Sequence, residues 1–242
     1  METVYTEEKT LRAVDVDLNG TWMPSEIFTT MQEIAEEDAA RYGFGRLELE
    51  QRFGLAWVLT RIHLQMERYP NLGDTLHLST WALRAKSHFV PRQFLFTDEA
   101  GVVGRAASQW VLLDLEKRTL CRTAVLGGYA GDFDTEPVLA NPKKIRMPDG
   151  LEEAAKRRVP YSDVDMNGHM NNTKYLNWIC ELNSIPFLQE MQMRDCRLAY
   201  VNEALADQEV DLLTCVADGS TFVSGRTGDQ TVFDAQVDWI PR

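Results

Sequence analysis

The sequence lacks any apolar run near the roughly 18 residues that a membrane-spanning helix requires. Met1 to Thr10 also lacks the basic and apolar regions of a signal peptide. A cytoplasmic protein without a membrane span is expected. Cysteine is scarce: Cys121, Cys180, Cys196 and Cys215 are widely and irregularly spaced, with no CxxC pair. Neither a zinc site nor a disulfide framework is indicated, and all four read as free thiols. Basic charge is scarce too, with 25 Lys and Arg against 37 Asp and Glu and a formal net charge of -12. Such a chain lacks the positive field that binding to nucleic acid needs, so no nucleic-acid partner is expected. An acidic partner has to be met by a local basic patch. The candidate is Lys143 to Arg158 (KKIRMPDGLEEAAKRR), with six basic residues against three acidic. A solvated connector explains that run equally well.

What is present is an ordinary globular composition, 44% hydrophobic and 26% charged, in a chain of 242 residues. That length allows one large domain or two small ones. An internal repeat supplies the organisation. Asp15, Val16, Asp17, Asn19 and Gly20 recur as Asp163, Val164, Asp165, Asn167 and Gly168, with Leu18 answered by Met166. Each copy precedes a helical pattern. In the first, Pro24 suits an early helical position, Ile27, Met31, Ile34 or Ala35, and Asp38 or Ala39 step at helical spacing, and Tyr42-Gly43 closes the run. In the second, Asn172 is expected to cap a helix in which Tyr175, Leu176, Ile179, Leu182 and Asn183 share a face, with Pro186 marking its end.

After each helix the period changes to 2, the signal for strands. The first set is expected at 56–68, 75–86, 89–97, 103–115 and 119–122, and the second at 197–205, 210–217, 221–226 and 231–239. Turns punctuate both sets, among them Pro70-Asn71-Leu72-Gly73-Asp74 and Glu116-Lys117-Arg118. Residues 124–141, rich in Gly and acidic groups and without clear periodicity, read as a linker. The expected division is therefore an N-terminal unit at 1–123, a linker at 124–150 and a C-terminal unit at 151–242. Each unit is α+β, one long helix lying across its own curved antiparallel sheet, and the two sheets pair edge to edge.

The repeated motif admits rival readings. Asp15, Asp17, Asn19, Gly20 and, at the twelfth position, Glu26 satisfy an EF-hand loop. Yet Tyr5 to Asp17 alternates rather than reading as an entering helix, Pro24 interrupts the loop, and the second copy has Lys174 at the twelfth position. No metal is expected. What the second copy alone adds is a histidine. Asp165, Asn167 and His169 sit at alternate positions, so a carboxylate, an amide and an imidazole can converge, whereas the first copy offers Asp17, Asn19 and Thr21. One at a time these are turn, cap and packing residues. Together, before a helix N-terminus whose free N–H groups can hold an oxyanion, they make a candidate catalytic set.

The stretch from Asp163 to Tyr175 (DVDMNGHMNNTKY), with Trp178 and Glu181, resembles the signature of the plant and bacterial acyl-acyl carrier protein thioesterases. The segments Trp57 to Arg61, Arg68-Tyr69-Pro70 with Gly73-Asp74, Thr80-Trp81 and Arg105 to Val111 fall in that family's order, so the similarity spans nearly the whole chain. The resemblance implies a tandem, or double, hot-dog fold. It implies hydrolysis of the thioester between a fatty acyl chain and the phosphopantetheine arm of acyl carrier protein, which ends chain elongation, with no cofactor. It also implies catalytic roles for Asp165, Asn167, His169 and, in Tyr200-Val201-Asn202-Glu203-Ala204, for Glu203. Many relatives have Cys where this chain has Ala204, so a Cys-His mechanism is absent at that position and water or a carboxylate must attack.

On this reading the first half supplies the acyl pocket, with Ile27, Phe28, Met31, Trp57 and Trp110 as candidate lining residues. Asn171 and Asn172 are candidate substrate contacts. Lys143, Lys144, Arg146, Lys156, Arg157 and Arg158 are a candidate docking surface for the carrier protein, although core packing explains the first group and solvation the last. An acyl-CoA thioesterase of the same fold and a non-catalytic acyl-binding protein remain alternatives. Acyl chain length and oligomeric state, a homodimer included, stay open.

Overall fold

A computed structural model describes residues 3–130 and 135–242. The first half runs β1 (Tyr5–Thr10), α1 (Pro24–Arg41), α2 (Arg46–Phe53), β2 (Leu55–Met66), β3 (Thr75–Ala82), β4 (Phe89–Asp98), β5 (Gly101–Asp114) and β6 (Thr119–Cys121). The second runs β7 (Glu152–Arg158), α3 (Lys174–Cys180), α4 (Ile185–Glu190), β8 (Met191–Tyr200), β9 (Glu209–Ala217), β10 (Ser220–Thr227) and β11 (Gln230–Pro241).

One sheet collects every strand in the order β1-β3-β4-β5-β2-β8-β11-β10-β9-β7, with β6 added to the end of β5. Read outward from the central β2–β8 pair, the two sides repeat the same connectivity. β1, β3, β4, β5 and β2 on one side correspond to β7, β9, β10, β11 and β8 on the other. The two halves are thus related by a pseudo-twofold axis through the β2–β8 junction, where Arg61 lies opposite Ala199 and Gln65 opposite Asp195. This is the double hot-dog that the resemblance implies. At the junction His63 Nε2 lies 2.9 Å from Asp195 Oδ2 and Gln65 donates to the same oxygen. Burial pushes the Asp195 carboxyl up, but those hydrogen bonds outweigh it and hold it below the usual carboxylate range.

The 3.6-residue period of α1 turns Ile27, Phe28, Met31 and Ile34 onto the sheet, all essentially without solvent contact. Pro24 opens the helix at a position where its missing N–H costs nothing. Leu176 and Ile179 of α3 enter the same core, which is continuous across both halves and includes Leu64 and Leu198. Each such side chain contributes roughly 1.5–3 kcal/mol of burial. The seat of α3 depends on a glycine: Phe233 packs edge-on against Tyr175 at 4.9 Å, and a Cβ at Gly225 would fall 2.2 Å from the Phe233 ring.

Several local expectations change. The second helix begins one residue later than the Asn172 cap predicts, with Thr173 at its cap, and it stops at Cys180. Leu182 and Asn183 lie beyond it, and Asn183 Nδ2 closes the end by donating to Ile179 O and Cys180 O. Pro186 opens α4 instead of ending α3, since proline is tolerated in a first turn. β8 lies at Met191–Tyr200 rather than 197–205, because pairing with β2 fixes its register. The helix α2 and the edge strand β7 had no periodic signal of their own. The segment expected as linker is tied down: Leu126 and Tyr129 are buried, Ile145 is buried, and Val138 and Leu139 donate to Gln93 Oε1. Residues 131–134 of that segment lie outside the described residues.

Candidate active site

The second motif folds as a tight turn. Val164 bridges Met170, the Asp165 N–H donates to His169 O at 2.8 Å, and the Gly168 N–H returns to Asp165 O at 3.0 Å. Gly168 has φ +80°, which only glycine adopts without strain. The Asp165 side chain holds this turn from inside: Oδ1 accepts from the Asn167 N–H at 2.8 Å and faces the His169 N–H at 3.4 Å. The first motif makes the same bonds, with Asp17 Oδ1 accepting from the Asn19 N–H at 2.9 Å and the Thr21 N–H at 3.2 Å. The histidine-free copy thus keeps its aspartate in a matching turn.

The strand-like run past the turn then lies against the segment that follows β8. His169 bridges Leu205, and the Met170 N–H donates to Ala204 O at 2.8 Å. That register brings Glu203 beside the imidazole, with His169 Nε2 3.2 Å from Glu203 Oε2. The His169 side chain is 27% exposed and that of Glu203 48%, so the pair stands at a mouth open to solvent. Arg118, from the β5–β6 turn of the other half, brings Nη2 to 3.6 Å from the same oxygen. Sequence reasoning missed Arg118. It reads as an ordinary turn residue, and only the docking of the halves brings it to Glu203. An imidazole against a carboxylate can move a proton to or from a reacting group at neutral pH.

Asn167 is exposed, with Nδ2 3.4 Å from Asp165 Oδ2. Asn171 is committed, its Oδ1 accepting from both the N–H and the hydroxyl of Thr173 at 3.0 Å. Asn172 O accepts from the Tyr200 hydroxyl at 2.9 Å. At the start of α3 the Thr173 and Lys174 N–H groups are already spent on Asn171. The exposed Asn167 amide, by contrast, keeps N–H donor capacity beyond its long contact with Asp165.

In the first half, Gln32, Ala35 and Ala39 of α1, Trp57 of β2, Arg92 of β4 and Trp110 of β5 line a half-open cavity of about 390 Å³, its mouth included. Of the five residues expected to line a pocket, Trp57 and Trp110 line this cavity, whereas Ile27, Phe28 and Met31 are packed into the core. Registry brings the cavity toward the dyad. Trp110 pairs with Leu59 two residues before Arg61, Arg61 pairs with Ala199, and β8 runs on from there toward Glu203. Inside, the buried Arg92 donates to Asp38 Oδ2 at 2.8 Å, to Thr80 at 3.1 Å and to the Tyr129 hydroxyl. Burial opposes the Arg92 charge, but Tyr129 and Asp38 outweigh it and hold the guanidinium pKa above its usual value. Burial, against the Arg92 charge, pushes the Tyr129 hydroxyl up to about 12.

Two members of the basic run are paired with acidic side chains. Lys156 pairs with Asp211 at 2.8 Å, and Arg157 pairs with Glu181 and lies over the Trp178 ring. Lys143, Lys144, Arg146 and Arg158 are exposed. The calcium reading fails on geometry. A strand enters the first motif, Asp15 is held by Lys9 at 2.9 Å and the Arg12 N–H at 2.8 Å, and Asp17 is held by Arg242 at 2.9 Å. Cys180 and Cys196 are not poised to attack, since burial pushes Cys180 up to about 12 and Cys196 well above its usual value. Ala204 is fully buried.

Comparison with known proteins agrees with this fold. Residues 2–125 match the acyl-ACP thioesterase N-terminal domain and residues 148–238 the acyl-ACP thioesterase C-terminal domain. A chloroplastic palmitoyl-acyl carrier protein thioesterase of Gossypium hirsutum is 29% identical over 232 residues, covering 90% of this chain and 56% of that protein. The chloroplastic oleoyl-acyl carrier protein thioesterase 1 of Arabidopsis thaliana is 27% identical, covering 96% of this chain and 70% of that one. This chain thus spans little more than half of the Gossypium protein. A solved acyl-ACP thioesterase from Bacteroides thetaiotaomicron shares the fold with a TM-score of 0.89, 24% identity and 98% coverage of each chain. The 12:0-ACP thioesterase from Umbellularia californica superposes with a TM-score of 0.82 at 26% identity over 100% of this chain and 99% of that one. Among the described residues no helix is long and apolar enough to cross a membrane. With the two domain models matched in order and the first alone taking in more than half of the sequence, the chain belongs to the acyl-ACP thioesterase family.

Proposed function

We propose that this protein hydrolyses the thioester joining a fatty acyl chain to the phosphopantetheine arm of acyl carrier protein, releasing a free fatty acid and so ending elongation. The observation that supports this best is the 3.2 Å contact of His169 with Glu203, which the degenerate motif of the other half lacks. Residues 151–242 carry the chemistry in this reading, residues 1–123 hold the acyl chain, and residues 124–150 join them.

Glu203 delivers the nucleophile: its carboxylate takes the proton of an attacking water or attacks the carbonyl itself. His169, bonded to that carboxylate, passes a proton to the departing pantetheine thiolate. The thiolate leaves readily, so activation of the nucleophile and stabilisation of the oxyanion dominate the barrier. Asn167 donates to the developing oxyanion, and Asp165 positions both by fixing the turn. The acyl chain lies in the cavity lined by Trp57 and Trp110. A cytoplasmic location belongs to the same proposal and is checked by fractionation.

Release of free thiol from acyl carrier proteins bearing short to long chains, with the matching acyl-CoAs alongside, tests the reading. A higher kcat/KM on carrier protein is expected. Better turnover on CoA moves the same site to a different substrate, and no turnover on either refutes hydrolysis.

Two further outcomes are expected. Iodoacetamide should leave kcat within about twofold, because the two most buried thiols resist ionisation and none lies in the dyad; inactivation in step with Cys alkylation refutes a thiol-free mechanism. The acidic partner must dock on exposed basic groups despite like net charge. Reversing Lys143, Lys144 and Arg146 to Glu together should raise KM for acyl carrier protein roughly tenfold at low salt with kcat nearly unchanged. An unchanged KM removes that surface from the proposal.

A further inference from the structure

The pseudo-twofold axis makes a second cavity. Each motif makes corresponding bonds: the Trp22 N–H donates to Pro70 O as the Met170 N–H donates to Ala204 O, and Thr21 bridges Asn71 as His169 bridges Leu205. Thr21 therefore stands where His169 stands, and Tyr69 where Glu203 stands. The sheet corresponds as well, since Trp110 pairs with Leu59 on β2 and Trp239 with Met193 on β8, each beside a bulge.

Against the degenerate motif lies a largely apolar cavity with about 950 Å³ of empty space, its mouth included, walled by Met23, Tyr69, Cys180, Leu188, Met193 and Trp239. It is the symmetry mate of the cavity assigned to the acyl chain, and it is the roomier of the two. One of its polar groups suits a carboxylate head group. At the mouth, Arg242 gives Nη1–H to Thr21 Oγ1 and Nη2–H to Asp17 Oδ2, both at 2.9 Å, while Nε faces Leu188 O and Met191 O. A guanidinium has five N–H donors, so two remain for an incoming carboxylate.

We infer that this cavity is a second, non-hydrolytic site that binds a long-chain fatty carboxylate, its chain among Leu188, Met193 and Trp239 and its carboxylate at Arg242. Thr21 and Tyr69 supply no acid–base pair, so a chain held there is bound and not cleaved. The inference goes beyond hydrolysis and stands without it, because occupancy is an equilibrium property of the protein.

Equilibrium dialysis with radiolabelled hexadecanoate below its micelle concentration tests it. Two molecules per chain are expected, falling to one in Leu188→Trp, which fills the second cavity, with turnover unchanged. Ala39→Trp, which fills the first cavity, should also leave one and abolish turnover. Arg242→Gln should weaken the second site for hexadecanoate roughly tenfold, without weakening it for hexadecanol. A diazirine fatty acid should label residues 185–193 in the unmodified protein, a readout that does not depend on any variant folding. One molecule per chain, lost in Ala39→Trp and kept in Leu188→Trp, overturns the second site. So does no binding at all, or labelling confined to the 32–39 region. Absence of turnover with two molecules still bound would refute the hydrolytic reading and leave the second site intact.

Discussion

Replacing His169 with alanine should lower kcat by about 10² to 10⁴ while leaving the melting temperature and KM close to those of the parent protein. The side chain is 27% exposed and its ring nitrogen meets Glu203 at 3.2 Å, so its loss removes an acid–base group and little packing. The control is internal to the molecule. Thr21→Ala changes the corresponding position of the other half, whose hydroxyl meets only Asp17 and Arg242, and should leave kcat nearly unaltered. Initial-rate measurements on one acyl-carrier substrate decide the matter. Full turnover in His169→Ala, or an equal loss in Thr21→Ala, would remove the assignment of chemistry to the second half.

Removing the Asp38 carboxylate should be the most destabilising single change. Its side chain is 2% exposed and that of its partner Arg92 5%, with 2.8 Å between them. Asp38→Ala leaves a buried guanidinium facing Thr80 and Tyr129, neither of which carries a compensating charge. Breaking such a pair costs about 3–5 kcal/mol, or roughly 10 °C in melting temperature for a chain of this size. Replacing both partners with apolar residues, Asp38→Leu with Arg92→Met, should recover most of that loss, since the cost lies in the stranded charge. Calorimetry on the single and double variants checks it. A single variant melting within about 2 °C of the parent would show that the pair is not held in this geometry. Because Arg92 also walls the cavity beside Trp110, the single variant should lose discrimination among acyl chain lengths before it loses turnover.

Much of the fold is legible in the sequence because the fold is written twice. The repeat of Asp15 to Gly20 as Asp163 to Gly168 marks corresponding turns, and the change of period after each helix marks corresponding sheets. Most strand positions follow from alternation alone. The failures share a cause. β8 was expected six residues too late, since the register is set by pairing with β2, and alternation within the segment says nothing about its partner. α2 is short, and of its residues only Leu49 is fully buried, too few for a periodic signal. Within the run from Lys156 to Arg158, Lys156 and Arg157 pair with Asp211 and Glu181, partners far away in sequence that the run itself does not reveal.

The sequence by itself determined that one half carries a histidine where the other carries a threonine, and that both stand in the same glycine-dependent turn. That is local chemistry, fixed by residues at most four positions apart. The tertiary structure alone decided what the histidine meets. Glu203 is 34 residues away and Arg118 lies in the other half, and neither contact follows from spacing. It also showed that the Asp165 carboxylate braces its turn with the same bonds that Asp17 makes in the other half. The physical reason is the same in each case: backbone hydrogen bonding within a turn is a short-range property of the chain, whereas proximity across a sheet depends on strand register and on the packing of two halves about a common axis.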